Sequence, residues 1–185
     1  MNMVAQDIMI DIETISTASN AVICSLAAIK FDRFGKTPIL EDMNQIYIRV
    51  SIESCEVLGM HKDQGTIDWW KTQSADIRYE AMENPVDRVD IKTALQKLSG
   101  WIGNSRNTKI WSHGDDFDCV ILANAYKTCS QRVPWEFWNT RDTRTLYDIA
   151  SVRVVEQHPD KKHHPLHDCY NQIYAVHESL TKLSS

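Results

Sequence analysis

Two acidic residues, Asp11 and Glu13, interrupt an apolar stretch that reads IMIDIET over residues 8–14. If this stretch is a β-strand, residues two positions apart project from the same face, about 6–7 Å from each other. Adjacent carboxylates repel one another, and a hard divalent cation such as Mg²⁺ or Mn²⁺ between them relieves that repulsion. A solvated strand face explains the pattern equally well, so this pair alone leaves both interpretations open.

A second acidic group follows the strand-like segment KIWS at residues 109–112 and precedes a predicted helix over Phe117 to Lys127. We predict Asp116 as the N-cap of that helix and Asp118 in its first turn. Acidic residues favour helix N-termini because the free backbone N–H groups there carry partial positive charge. Either aspartate is therefore a cap, or Asp118 projects functionally from the C-terminal end of the strand.

The third group is the segment KKHHPLHDC at residues 161–169, in which His163 and Asp168 are five residues apart. Pro165 marks a helix start between them. A histidine in such a loop can lean over groups that the helix helps to bind, which is the geometry of a general base. A zinc site competes with this interpretation, although the missing Cys-x-x-Cys pair counts against it. Its candidate ligands are His158, His163, His164, His167 and Cys169.

In this order the three groups resemble the DEDDh (DnaQ-like) 3′-5′ exonucleases of the ribonuclease-H-like fold, over essentially the whole chain. Three local blocks are more specific and resemble the T-even-phage exonuclease A group. They are TIDWWKTQS at residues 66–74, FWNTRDTRT at 137–145 and HHPLHDC at 163–169.

The resemblance implies a metal-dependent 3′-5′ exonuclease that acts on single-stranded DNA and releases nucleoside monophosphates, with a 3′-5′ exoribonuclease as the alternative. His163 is the implied general base; the His-x4-Asp spacing favours it over His164, although Pro165 replaces an alanine common in the family and could shift the loop. Two Mg²⁺ or Mn²⁺ ions are the implied cofactors. Their implied ligands are Asp11, Glu13, Asp118 and Asp168.

Aromatic and basic residues in the same blocks are candidates for binding the substrate. Trp69 and Trp70 point about 100° apart on a helix, so one ring is expected to pack while the other forms a substrate wall. For Arg141 and Arg144 the sequence leaves three roles open. An arginine here contacts a substrate phosphate, holds a catalytic carboxylate in place, or forms an internal ion pair with Asp142. The candidate substrate-binding residues are therefore Trp69, Trp70, Phe117, Arg141 and Arg144.

Alternating strand-like and helix-like segments predict an α/β fold that would position these groups. The resemblance implies a ribonuclease-H-like central mixed β-sheet, three antiparallel strands followed by parallel strands, flanked by α-helices. Predicted strands cover residues 8–12, 21–31, 45–50 and 109–112, with a short strand or turn at 136–141. From residue 66 the period becomes helical, and further helices are predicted at 117–127, 142–150 and 166–183.

Composition limits the remaining possibilities. The 185 residues carry a net charge of −5, which argues against a broad basic surface for nucleic acid and favours a narrow groove for strand ends. Five scattered cysteines predict buried thiols, and the lack of a long apolar run predicts no membrane partner. The length and the lack of a linker-like segment predict one domain, which the resemblance implies is a single exonuclease domain over residues 1–185. The expected location is the cytoplasm of a bacterial cell, whether the gene is bacterial or phage-borne. A catalytically silent nucleic-acid-binding or partner-binding module is the alternative from another class, and the oligomeric state stays open.

Overall fold

The computed structural model describes residues 7–103 and 106–185. Within them five strands form one mixed sheet in the order β3-β2-β1-β4-β5. The first three strands are antiparallel, and β4 and β5 continue parallel to β1. This topology confirms the predicted ribonuclease-H-like sheet. The strands are β1 Asp7–Thr14, β2 Ile23–Phe31, β3 Gln45–Arg49, β4 Lys109–Ser112 and β5 Thr140–Asp142.

Helices cover both faces of the sheet. α3 continues directly into a π-helix at Tyr79–Glu83, and a 3₁₀-helix at Phe137–Asn139 leads into β5. The α-helices are α1 Ile52–Val57, α2 Gln64–Lys71, α3 Ala75–Arg78, α4 Ile91–Ile102, α5 Asp118–Thr128, α6 Thr143–Ala150 and α7 Pro165–Leu183.

Strand β1 is buried on both faces because strands flank it on either side and helices lie above and below. Ile8, Ile10 and Ile12 pack into one core with α4 and α5. Met9 packs into a second core with α6 and α7 on the opposite face. Asp11 lies on the same face as Met9, so the predicted carboxylates project toward α7.

One predicted cap is wrong. Helix α5 begins at Asp118, and its N-cap position is Phe117, whose side chain makes no capping hydrogen bond. Asp116 is exposed one residue earlier. The chain makes an extra turn after β4, in which the N–H groups of Phe117 and Asp118 reach the Gly114 carbonyl, and this turn delays the start of the helix.

The five cysteines are all buried free thiols, as the sequence predicts. Within the ranges that the structure describes, no helix has both the length and the apolar character needed to cross a bilayer.

The tandem tryptophans provide a test of the packing. Trp70 is 1% exposed and its Nε1 donates to the Thr14 carbonyl at 2.8 Å, whereas Trp69 is 42% exposed. Trp70→Phe strands that buried carbonyl and should lower the free energy of unfolding by about 1–3 kcal/mol. The matched change Trp69→Phe should stay within about 0.5 kcal/mol. Urea denaturation measures both, and equal losses would contradict this packing.

Candidate active site

The first pair of carboxylates stands at the C-terminal end of β1. Asp11 and Glu13 share one face of the strand, and its pairing with β2 shifts register immediately after Glu13. The parallel ladder with β4 covers only Asp7 to Met9, so it ends before Ile12. The Ile12 N–H instead donates to Oδ1 of Asp118 at 3.1 Å. This bond ties the first residue of α5 to the strand that carries the other two acids.

Helix α7 and the loop before it carry the remaining two residues. Asp168 lies in its first turn, and its Oδ2 accepts a hydrogen bond from the His163 backbone N–H at 3.1 Å. His163 has a φ of 67°, a left-handed conformation that is uncommon for residues other than glycine. Pro165 occupies the first turn of α7, where its missing N–H has no cost. The turn is therefore compatible with Pro165. The Asp168 carboxylate stabilises the strained backbone of His163 by accepting its N–H.

All five predicted catalytic residues line one cavity of about 390 Å³. Glu13, His163 and Asp168 each offer a ligand atom within 4.8 Å of the other two, which is close enough to share a metal ion. Asp11 accepts a hydrogen bond from Nε2 of Gln172 at 2.9 Å on the same side. The cavity is lined by Asp11, Ile12, Glu13, His113, Phe117, Asp118, Arg144, Val154, Glu156, Lys162, His163, Asp168, Asn171 and Gln172.

Burial and mutual repulsion make these carboxylates costly to ionise. Burial raises the pKa of Asp118 to about 7, although the Ile12 N–H opposes the shift. Burial, followed by the charge of Asp11, raises the pKa of Asp168 to about 8. Burial likewise raises the pKa of Glu13 well above its usual range, and Asp11 adds to the shift. A divalent cation nearby would favour the ionised form of each carboxyl group and so lower its pKa. These carboxylates therefore fit a metal site.

The histidine is shifted in the opposite direction. Burial, with the Lys162 charge, lowers the pKa of His163, so its imidazole is neutral at pH 7. Its ring lies edge-to-face on Trp69 at a centroid distance of 5.0 Å. A neutral ring with a nitrogen near Glu13 and Asp168 is the protonation state that a general base requires.

Sequence reasoning missed several residues of this cavity, and three of them, Glu156, Asn171 and Gln172, take part in its hydrogen bonds. Gln172 holds Asp11, and Asn171 Nδ2 donates to Oε2 of Glu156 at 2.6 Å. Glu156 is thus a fifth carboxylate in the cavity, and its charge contributes to the raised pKa of Asp168. Asn171 and Gln172 lie one turn beyond Asp168 on α7, a spacing that could have revealed them. Glu156 lies between α6 and α7 in a segment without periodicity, so only the tertiary structure reveals it.

Three of the candidate substrate-binding residues border the acidic cavity. Arg144 and Phe117 line it directly. Gly114 has a φ of 103°, a conformation that L side chains rarely adopt, so this position favours glycine; a Cβ there would also lie 2.7 Å from Nη1 of Arg144 and displace that flexible side chain. Trp69 and Phe117 line an adjoining groove of about 430 Å³ that also contains Glu13 and Thr66.

The other two candidates lie outside the cavity. Trp70 is in the core, and Nη1 of Arg141 donates to the carbonyls of Trp138 and Thr140 at 3.0 and 2.6 Å. The residues of the alternative zinc site do not come together as one set. The rings of His158 and His164 lie 5.2 and 5.1 Å from that of His167, but Cys169 is fully buried with its Sγ toward the Ala27 carbonyl, and His163 lies with Glu13 and Asp168 instead. Among the described residues, the grouping suited to a metal contains Glu13 and His163 rather than that set.

Comparison with known proteins agrees with this geometry. A family model described as the 3′-5′ exoribonuclease Rv2179c-like domain matches residues 6–180. An exodeoxyribonuclease of Enterobacteria phage T4 is 27% identical over 207 residues, covering 94% of this chain and 88% of that protein.

Solved structures of E. coli exonuclease I share the fold. A zinc-bound complex with single-stranded DNA has a TM-score of 0.63 at 13% identity, covering 97% of this chain and 41% of that one. A complex with a dA16 oligonucleotide also has a TM-score of 0.63, at 14% identity, with 96% and 41% covered. This chain therefore spans about two fifths of the length of the exonuclease I chains it matches.

The raised carboxylate pKa values predict a stability effect in chelator. The pKa of Asp118 rises from a usual value of 3.8 to about 7 on folding, so its contribution to stability is complete below pH 4 and is lost as the pH rises through 7. Asp118→Asn keeps the acceptor for Ile12 and removes the charge. At pH 8 with chelator it should raise the free energy of unfolding by more than about 1 kcal/mol, or roughly 2–4 °C in Tm.

Thermal denaturation between pH 4 and 8 measures this effect, and the gain over the unaltered chain should shrink toward pH 4. Asp116→Asn, at an exposed position in the same turn, is the matched control and should change Tm little at any pH. A lower Tm for Asp118→Asn at pH 8 would contradict the electrostatic account.

Proposed function

Because this chain belongs to the family of Rv2179c-like 3′-5′ exoribonuclease domains and is a 3′-5′ exonuclease of DnaQ-like type, we propose that it hydrolyses single-stranded DNA from the 3′ end. The observation that carries the proposal is the convergence of four carboxylates and His163 in one cavity. DNA is favoured because the T4 relative, matched over 88% of its length, is an exodeoxyribonuclease. We also propose that residues 1–185 form a single exonuclease domain, in keeping with the family match over residues 6–180.

The four carboxylates are the proposed ligands of two Mg²⁺ or Mn²⁺ ions. Asp11, Glu13, Asp118 and Asp168 are buried or half-buried, and each has a raised pKa that a bound cation would offset. Oxygen-only donors of this kind suit hard divalent cations better than soft ones. When bound, such ions activate water and stabilise negative charge at the phosphodiester.

His163 is the proposed general base. Its ring is neutral at pH 7, so one of its nitrogens can accept a proton from the water that attacks the phosphorus. His164 is less suited to this role, because its Nδ1 accepts the Leu166 N–H at 3.3 Å and its ring packs against Tyr47. Burial also lowers the pKa of His164 to about 4, which makes it a poor proton acceptor.

One arginine and two aromatic side chains around the cavity are proposed to hold the terminal nucleotide. Arg144 lines the same cavity as His163 and offers a planar guanidinium to the scissile phosphate. Trp69 and Phe117 flank the adjoining groove, where an unstacked base can pack against an aromatic face. A nucleoside monophosphate is the expected product.

Hydrolysis of labelled oligonucleotides tests the mechanism. With Mg²⁺ or Mn²⁺, a 3′ label should be released before a 5′ label, and chelator should abolish turnover. Asp168→Asn should lower kcat by at least about 10³-fold, and His163→Ala by about 10²–10⁴-fold. His158→Ala removes an exposed histidine outside the cavity and serves as the control. Activity in chelator, or a His163→Ala enzyme as fast as the control, would contradict the mechanism.

A second candidate, an exoribonuclease, is favoured by the description of the matching family. The two sugars differ at the 2′-hydroxyl, so discrimination depends on contacts beside the ribose. In a parallel assay of matched DNA and RNA 20-mers, we expect kcat/KM to be higher for DNA. A higher value for RNA would replace the first candidate with the second while leaving the site unchanged.

A further inference from the structure

Two large aromatic side chains are exposed together at the end of the sheet opposite the acidic cavity. Phe137 is 81% exposed and Trp138 is 60% exposed, with ring centroids 4.8 Å apart in an edge-to-face arrangement. They belong to the 3₁₀-helix that precedes β5, so they lie before the N-terminal end of that strand. Exposed aromatic pairs of this kind mark binding surfaces, because water is a poor environment for them.

The backbone beneath the pair is fixed. Asn139 is 1% exposed; its Oδ1 accepts from the Lys109 ammonium and its Nδ2 donates to the Arg106 carbonyl at 2.7 Å. Nη1 of Arg141 donates to the Trp138 carbonyl at 3.0 Å. These hydrogen bonds, two of them to the buried Asn139 side chain, hold this turn in place while both rings project, which distinguishes it from a loose loop.

The surroundings are cationic although the whole chain is acidic. Lys109 and Arg141 touch the turn through their charged side chains, whereas Arg106 touches it through its backbone carbonyl. Arg106 and Arg132 both line a cavity of about 360 Å³ that also contains Trp135 and Glu136. Arg132 is 85% exposed and lies 3.7 Å from Glu136, its ion-pair partner. In a chain of net charge −5, this local excess of cations indicates an anionic partner.

We propose that this aromatic–basic surface, formed by Phe137, Trp138, Arg106 and Arg132, binds the upstream part of a single-stranded nucleic acid whose 3′ end occupies the acidic cavity. Bases of any sequence can stack on the two rings, and the arginines can contact successive phosphates. Single strands fit better than duplex because their bases are free to stack.

The separation of the two sites sets a length requirement. Lys109 pairs in register with Asp7, and Asp7 is six residues before Glu13 on β1, so the sites are at least about 20 Å apart along the strand direction, and the step across β4 to β5 adds to this. A nucleic acid that reaches both sites therefore needs at least about six nucleotides at a stacked rise of 3.4 Å. The direction in which the nucleic acid runs between the two sites rests on the proposed function. The binding of a single strand by the aromatic–basic surface does not.

Binding in chelator tests the surface without any need for turnover. Fluorescence anisotropy with 5′-labelled 4-mer and 20-mer DNA should show a Kd for the 20-mer at least about tenfold weaker in Phe137→Ser/Trp138→Ser. The 4-mer Kd should change less than twofold. Val57→Ser, an 80% exposed apolar residue on α1, is the matched control and should leave both values unchanged.

A second variant tests the charges and keeps the proposal testable if the aromatic variant does not fold. Arg106→Gln/Arg132→Gln should lower the slope of log Kd against log salt by about one for each phosphate that an arginine no longer neutralises. A 20-mer Kd equal to that of Val57→Ser in both variants would overturn the proposal. So would a shift of the aromatic variant from dimer to monomer in sedimentation at constant Kd, which would identify a second copy as the occupant.

Failure of the proposed function has a different signature. If the unaltered chain degrades no oligonucleotide with Mg²⁺ or Mn²⁺, the proposed hydrolysis is wrong. The anisotropy difference between the 20-mer and the 4-mer still decides whether the aromatic–basic surface binds a single strand.

Discussion

Repulsion among buried carboxylates is the constraint on which the rest of the molecule depends. Asp11 and Glu13 share a face of β1, whereas Asp118 and Asp168 come from the first turns of two different helices. A helix N-terminus carries partial positive charge, so α5 and α7 offset part of the negative charge that they bring. The Ile12 N–H donates to Asp118, and the side-chain amide of Gln172 donates to Asp11. The fold therefore brings positive dipoles and hydrogen-bond donors to the place where its acids are most crowded.

His163, whose backbone is strained, adjoins these carboxylates, and the neighbouring His164 anchors the loop that contains both histidines. His163 has positive φ, which persists only where surrounding contacts compensate for it. His164 packs its ring on Tyr47 at 4.8 Å, and the Tyr47 hydroxyl donates to Glu80, which also binds Arg49. The sequence presents the two histidines as rivals for one role. In the structure they have complementary positions, because one ring faces the carboxylates and the other fixes the loop to β3 and the π-helix.

Periodicity predicted the elements that are long or buried on both faces, and it failed where local contacts set the boundary. The strand at β1 and the helix at α7 were predicted to within one or two residues, because their apolar spacing repeats several times. Helix α1, Ile52–Val57, was not predicted, since six residues hold too little of the pattern. The Asp116 cap was wrong because a turn anchored at Gly114 delays the helix.

The sequence by itself determined the fold class, and its resemblance to the DEDDh exonucleases named the five residues that line one cavity in the structure. Only the tertiary structure decided that Glu156 joins them and that Arg141 does not. Glu156 enters the cavity through Asn171, while Arg141 is held away from it by the Trp138 carbonyl. The contact of Glu156 with Asn171 joins two segments separated along the chain, and the contact of Arg141 with the Trp138 carbonyl depends on a local turn. The spacing of residue types along the sequence does not predict either contact. The aromatic–basic surface likewise depends on exposure, which only packing defines.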